Sequence, residues 1–276
     1  MQELAAESFE FLLEKANEIA QRYGFSNSYR LSFPAEIIYR GQHDSTWGLK
    51  TTLDRNLNIK SLKKYLYLCS KLQPIIETEY EKNHSELKIE NIDDWLKDTY
   101  ELFEPGNLLC WDYVVYLRHH GFPSFLLDWT QSIYIALGFA FFENSETDNR
   151  AIFMYIESPL NKKYISLGKP RIKRLPEYAK TSRRHFLQQS MYTMCYQAIS
   201  NDLIFESYDM IRNPHPSTDQ DVLVKFVIPS SERQKILRFL FSVNITPYSL
   251  APTEDNLMKT LWLKEHLLNS HSQRVQ

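Results

Sequence analysis

Apolar positions near the start of the chain recur every three to four residues. Leu4, Phe9, Leu12, Ala16, Ile19, Ala20 and Tyr23 share one helical face, and Gly24 stands where a C-terminal cap belongs. A helix over residues 3–23 is therefore expected. Glu36 to Arg40 (EIIYR) is a short apolar block ending at Gly41 and reads as a buried strand. Helical spacing returns from Ser61 to Phe103, with Pro74 as a kink or break. It returns again in LLCWDYVVYLRHH after Asn107, capped by Gly121. Phe122-Pro123 opens a loop into Leu126–Thr130 (LLDWT). Ile133–Phe142 is apolar almost all round, which predicts a fully buried helix.

The later pattern is extended. Ala151–Ile156, Tyr192–Tyr196 and Val222–Ile228 read as strands, the last ending at Pro229. Ser230 is placed to cap a helix running to Phe241; a short Asn244–Leu250 segment and a helix from Glu254 follow. Few strands dispersed among helices predict an α+β fold with a compact mixed sheet and a helical N-terminal part. No repeat or linker interrupts the chain. A single domain is expected over 1–276, with its core at about 36–262, an N-terminal helix in 1–35 and a helical insertion at 61–105.

Composition narrows the class. With 276 residues, 43% of them hydrophobic and 14% aromatic, the chain can bury a real core. A net charge of −2 does not announce a nucleic-acid binder. Between Lys162 and Arg184, however, nine Lys/Arg stand against Glu177 alone, with Tyr164, Tyr178 and Phe186 interleaved. Lys169, Arg171, Lys173, Arg174, Arg183 and Arg184 are the candidate polyanion contacts, against the alternative of a solvated face. Cys69, Cys110 and Cys195 lack short spacings and fit a reducing cytoplasm. The N-terminus lacks the basic-then-apolar order of a signal peptide, and no apolar run reaches a membrane span, so a cytoplasmic protein without membrane contact is expected.

Familiar catalytic signatures are missing. The sequence contains no G-x-G-x-x-G, Walker loop, G-x-S-x-G, H-E-x-x-H or Cys-x-x-Cys. His119 and His120 are adjacent and diverge by about 100° on a helix, so no metal is expected. Two polar clusters remain. Arg40 reads either as a sheet-edge ion-pair partner or as a fork for phosphate or carboxylate, with Gly41 admitting a ligand to the backbone. Thr130 or Ser132 reads either as the N-cap of the next helix or as a hydroxyl facing a cleft. Trp129 is either core or a stacking wall. Gln188-Gln189 belongs either to a solvated face or to a site.

These residues resemble the FRG-domain family. Tyr39-Arg40-Gly41, continuing to Gln42 and Trp47, is similar to its (F/Y)-R-G motif. Arg118-His119-His120-Gly121-Phe122-Pro123-Ser124-Phe125-Leu126-Leu127-Asp128-Trp129-Thr130, then Ala136-Leu137-Gly138-Phe139-Ala140, resembles Q-H-Y-G-x-P-T-R-L-L-D-W-T and A-L-x-F-A. Gln188–Thr193 looks like the family's Q-x-G-x-F-T, and Asn244–Asn256 like its ending. Ser124-Phe125 replaces Thr-Arg, Ser190 a glycine and Thr253 the first acid.

The order of parts in that family in turn looks like that of ADP-ribosyltransferases. The resemblance implies a sheet core of that type and NAD as substrate. Tyr39, Arg40, Gly41, Gln42, His119, Asp128, Trp129, Thr130, Ser132 and Gln189 would bind it. Arg40 would hold the phosphates or a ribose, Thr130 the nicotinamide ribose, and Trp129 or Tyr39 the nicotinamide. A carboxylate must stabilise the developing oxocarbenium charge; the order of candidates is Asp255, Asp128, Glu254. The expected activity is transfer of ADP-ribose to RNA or a protein, in a toxin-antitoxin or phage-defence setting with an antitoxin partner. The alternatives are a non-catalytic nucleotide- or nucleic-acid-binding module and an NAD hydrolase.

Overall fold

Four short strands that are not apolar enough to stand out complete the sheet. In the computed structural model, residues 1–23, 37–56, 59–80, 84, 86–99, 108–157, 169–175, 182–210 and 221–269 are described. The strands are β1 (Gln2–Ala5), β2 (Ile37–Gln42), β3 (Leu127–Thr130), β4 (Asn149–Ile156), β5 (Arg171–Arg174), β6 (Ser190–Ile199), β7 (Asp202–Phe205) and β8 (Val222–Pro229). The helices are α1 (Phe9–Arg22), α2 (Thr52–Asn56), α3 (Leu62–Tyr80), α4 (Ile89–Thr99), α5 (Trp111–His119), α6 (Ile133–Phe141), α7 (Arg183–Leu187), α8 (Arg233–Ser242), α9 (Pro247–Leu250) and α10 (Glu254–Asn269). The fold is α+β with a mixed eight-stranded sheet, as expected.

The strand order is β1-β8-β4-β2-β3-β6-β5, with β7 also paired to β6. Only the β1–β8 pair is parallel among these pairings. Side chains alternate across the strands and create three apolar clusters. Ile152, Met154 and Ile156 of β4, with Val224 and Phe226 of β8, pack under α1, α6 and α8. Tyr192, Met194 and Tyr196 of β6 pack under α3, α4 and α5. The opposite faces meet in an inner core, where Ile38 and Phe153 join Leu127, Trp129, Met191 and Cys195.

Several expectations need correction. Residues 2–5 form β1, because Ser8 intervenes and caps α1 by accepting a hydrogen bond from Phe11 N at 3.2 Å. Pro74 lies inside α3 without ending it. Leu127–Thr130, to which the sequence pattern assigns no element, is a strand: its backbone finds β6 over four residues. β5 and β7 were not predicted at all. Gly24, Glu36, Asn107, Lys162, Lys163, Lys180, Tyr164 and Tyr178 lie outside the described residues. Among the described residues, no helix is long and apolar enough to cross a membrane.

Candidate functional site

The sheet opens where β2 meets β3. β2 pairs with β4 over six residues and β3 with β6 over four, yet β2 and β3 share the single pair Tyr39–Thr130. Beyond that pair the two strands part. By alternation Arg40 lies on the face of Ile38 and the inner core, while Tyr39 and Gly41 face α6. The Arg40 side chain spans the gap between the strands, and its Nη1 donates to Asp128 O at 2.7 Å. Its Nε is buried without a partner. Desolvation pulls the guanidinium pKa below its ordinary value, against the opposing pull of Asp128.

A cleft of about 400 Å³ lies at this opening, within the size range of small-molecule sites. β2 gives Tyr39, Arg40 and Gly41, and β3 gives Asp128, Trp129 and Thr130. The last turn of α5 supplies Arg118 and His119; Phe139 of α6, Arg184 of α7, Gln188 and Ser190 close the wall. The polar charge is unbalanced. Arg40, Arg118 and Arg184 face one acid among these lining residues, Asp128. Arg118 holds the Asp128 carboxylate through both Nε, at 3.2 Å, and Nη2. His119 donates no charge: burial lowers its pKa from 6.5 to about 4, so the imidazole is neutral near pH 7. Its Nε2 shares a hydrogen bond of 3.0 Å with Tyr192 Oη, which also meets His185 Nδ1 at 3.2 Å. Such a site suits an anionic ligand bearing phosphate or carboxylate.

Residues 35–149 match the sequence model of a family described as the FRG domain. Over that stretch, 115 of the 276 residues, the chain is similar to the FRG domain. The matched stretch holds β2, α5, β3 and α6, and with them Arg40, Arg118, Asp128 and Phe139. Arg184, Gln188 and Ser190 reach the cleft from outside it. A search of curated proteins found no match, and neither did one of solved structures.

The fold thus joins the two sequence clusters, 88 positions apart at Arg40 and Asp128. Tyr39, Arg40, Gly41, His119, Asp128, Trp129 and Thr130 all border the cleft. Trp129 does so from a buried position: its indole donates to Thr193 Oγ1 at 2.8 Å in the inner core. Burial raises the Tyr39 pKa to about 12 and keeps its phenol neutral. Thr130 Oγ1 accepts from Ser132 N at 3.2 Å, and Ser132 caps α6, which is the capping alternative raised by the sequence.

Other positions differ from expectation. Gly41 borders the cleft and also lies against α6, where a β-carbon would overlap the Ala136 carbonyl. Gln42 points to the inner side and donates to Gly48 O at 3.3 Å. Gln189 is exposed in a left-handed turn at φ 46°, so its neighbour Gln188 lines the cleft instead, donating to Leu250 O at 3.2 Å. Asp255 and Glu254 are exposed in the first turn of α10 and are not lining residues. The basic run divides: Lys169 and the edge strand β5 hold four of its cations, whereas Arg184 faces the cleft. Arg171 lies 4.8 Å over the Tyr196 ring. Arg118 and Phe139 line the cleft without being among the expected residues, and Gln188 was weighed only together with Gln189. Arg118 had a signal, a cation in a helix's last turn ten residues before an acid in an apolar run.

Proposed function

We propose that the cleft binds NAD and that the protein transfers ADP-ribose to an intracellular macromolecule, RNA or protein. The observation carrying this reading is the parting of β2 from β3, where arginines from both sides face a cleft of about 400 Å³. A dinucleotide brings two phosphates and two flat rings. The arginines suit the phosphates, and Phe139, 37% exposed and bordering the cleft, suits a ring. In the reaction, the bond between nicotinamide and ribose breaks and its electron pair leaves with nicotinamide. An acceptor oxygen or nitrogen bonds to the ribose carbon and gives up its proton. Asp128 takes precedence over Asp255 as the carboxylate that stabilises the positive ribose, because it is the acid lining the cleft. A toxin-antitoxin or phage-defence role, with an antitoxin partner, follows from the family's likeness to such transferases alone.

A second reading is a non-catalytic nucleotide-binding module. It is favoured by the Arg118 fork that engages the Asp128 carboxylate. Purified protein, labelled NAD and cell extract separate the readings. Nicotinamide release with label on RNA or protein is expected. Label as free ADP-ribose would make the protein an NAD hydrolase, and binding without release would make it a module. Arg40→Ala should weaken NAD binding by roughly 10- to 100-fold, the scale of a hydrogen bond to a charged group, and still give a cooperative melt. A folded variant with undiminished binding would remove Arg40 from the site.

A further inference from the structure

Both polar ends of Asp128 are held by arginines. Its carbonyl oxygen accepts from Arg40 Nη1 at 2.7 Å, and its carboxylate takes Arg118 through Nε and Nη2. The Arg118 side chain is 18% exposed and that of Asp128 40%, so the pair lies at the wall of the cleft, open on the acid's side. A guanidinium fork fits carboxylate and phosphate with the same parallel geometry. Arg184 faces the same cleft, which makes an incoming phosphate electrostatically welcome and the acid outnumbered.

We propose that Arg118 is a phosphate-binding residue and that Asp128 competes with the ligand's phosphate for it. When a diphosphate takes the Arg118 fork, the Asp128 carboxylate is released into the cleft. Asp128 stays anchored by its backbone to Arg40, so the freed carboxylate remains close to the ligand. This deepens the nucleotide-binding reading and resolves its main tension, since one ligand both fills the cleft and frees its acid. Arg118 acts here as a ligand-binding residue that also positions Asp128.

Calorimetric titration with inorganic pyrophosphate, ADP and NAD tests the exchange on wild type, Asp128→Asn, Arg118→Gln and the double variant. Asp128→Asn should bind pyrophosphate and ADP at least fivefold tighter, and Arg118→Gln at least tenfold weaker. In the Arg118→Gln background the gain from Asp128→Asn should vanish. A gain that persists there means simple repulsion by the acid and overturns the exchange, as does equal or weaker binding by Asp128→Asn. The wild type offers a test independent of variants: the Arg118 Nε–H nitrogen resonance should shift on saturation with pyrophosphate, and a stationary signal refutes the proposal. Binding of pyrophosphate and ADP with these effects, but no binding of NAD, leaves the exchange standing and removes NAD as the ligand. Failure of all three probes to bind wild type and Asp128→Asn overturns both.

Discussion

At His119, burial outweighs the neighbouring carboxylate. Asp128 favours the imidazolium, but desolvation dominates and lowers the pKa to about 4. A histidine whose folded pKa lies below its unfolded value of about 6.5 stabilises the fold in its neutral form. That contribution is complete above pH 6.5 and is lost as pH falls towards 4. Wild type should therefore lose stability across this window relative to His119→Asn, read as the difference between urea midpoints at pH 7.5, 5.5 and 4.5. Parallel curves for the two proteins would show that His119 titrates normally. The residue scale was partly legible in the sequence. Arg40, Asp128 and Thr130 stood out because charge and hydroxyls interrupt apolar runs. Gln188 and Gln189 could not be told apart, because the left-handed turn at Gln189 that exposes one and buries the other depends on tertiary contacts. Arg118 figures in the sequence only as the first residue of the central motif, because the chain's pattern alone does not set Asp128 against it.

Between elements, α6 and β2 show how tightly the site's frame is packed. Gly41 lies against the helix backbone, so that a β-carbon would collide with Ala136 O and crowd Ala140 N. Backbone cannot yield as a flexible side chain does. Gly41→Ala should destabilise the protein by about 1–3 kcal/mol, the usual cost of overpacking. Its urea midpoint should fall at unchanged m value; an unchanged midpoint would mean that α6 can slide away. Long elements were readable because their periodicity repeats. α6, β4 and β8 appeared near their observed bounds. β1, β3, β5 and β7 have four residues each, too few for a period to declare itself. Partners define them: β1 exists because β8 offers it a parallel edge, and the polar RIKR of β5 because β6 does.

Across the whole molecule, the sheet is two paired units joined at Tyr39–Thr130. β1, β8, β4 and β2 form one, and β3, β6, β5 and β7 the other. The inner core, drawing Ile38 and Phe153 from one and Trp129 and Met191 from the other, is their main apolar tie. Beside it runs a polar tie across the cleft, from Arg40 to Asp128 O. A ligand held by Arg40 on one unit and by Arg118, which packs beside the other, would add a bridge where the backbone provides a single pair. Binding to the folded state alone adds about 2.7 kcal/mol at a hundredfold excess over Kd, so the melting temperature should climb with dinucleotide concentration. A bridge between the two units has a more local signature. Amide exchange at Tyr39 and Thr130 should slow on saturation more than exchange in the middle of β4, which is already paired on both sides by β2 and β8. In Arg40→Ala, saturated at its own higher Kd, that selective slowing should disappear even if the melting temperature still rises. Uniform protection in both proteins would mean that the ligand stabilises the fold without tying the two units together.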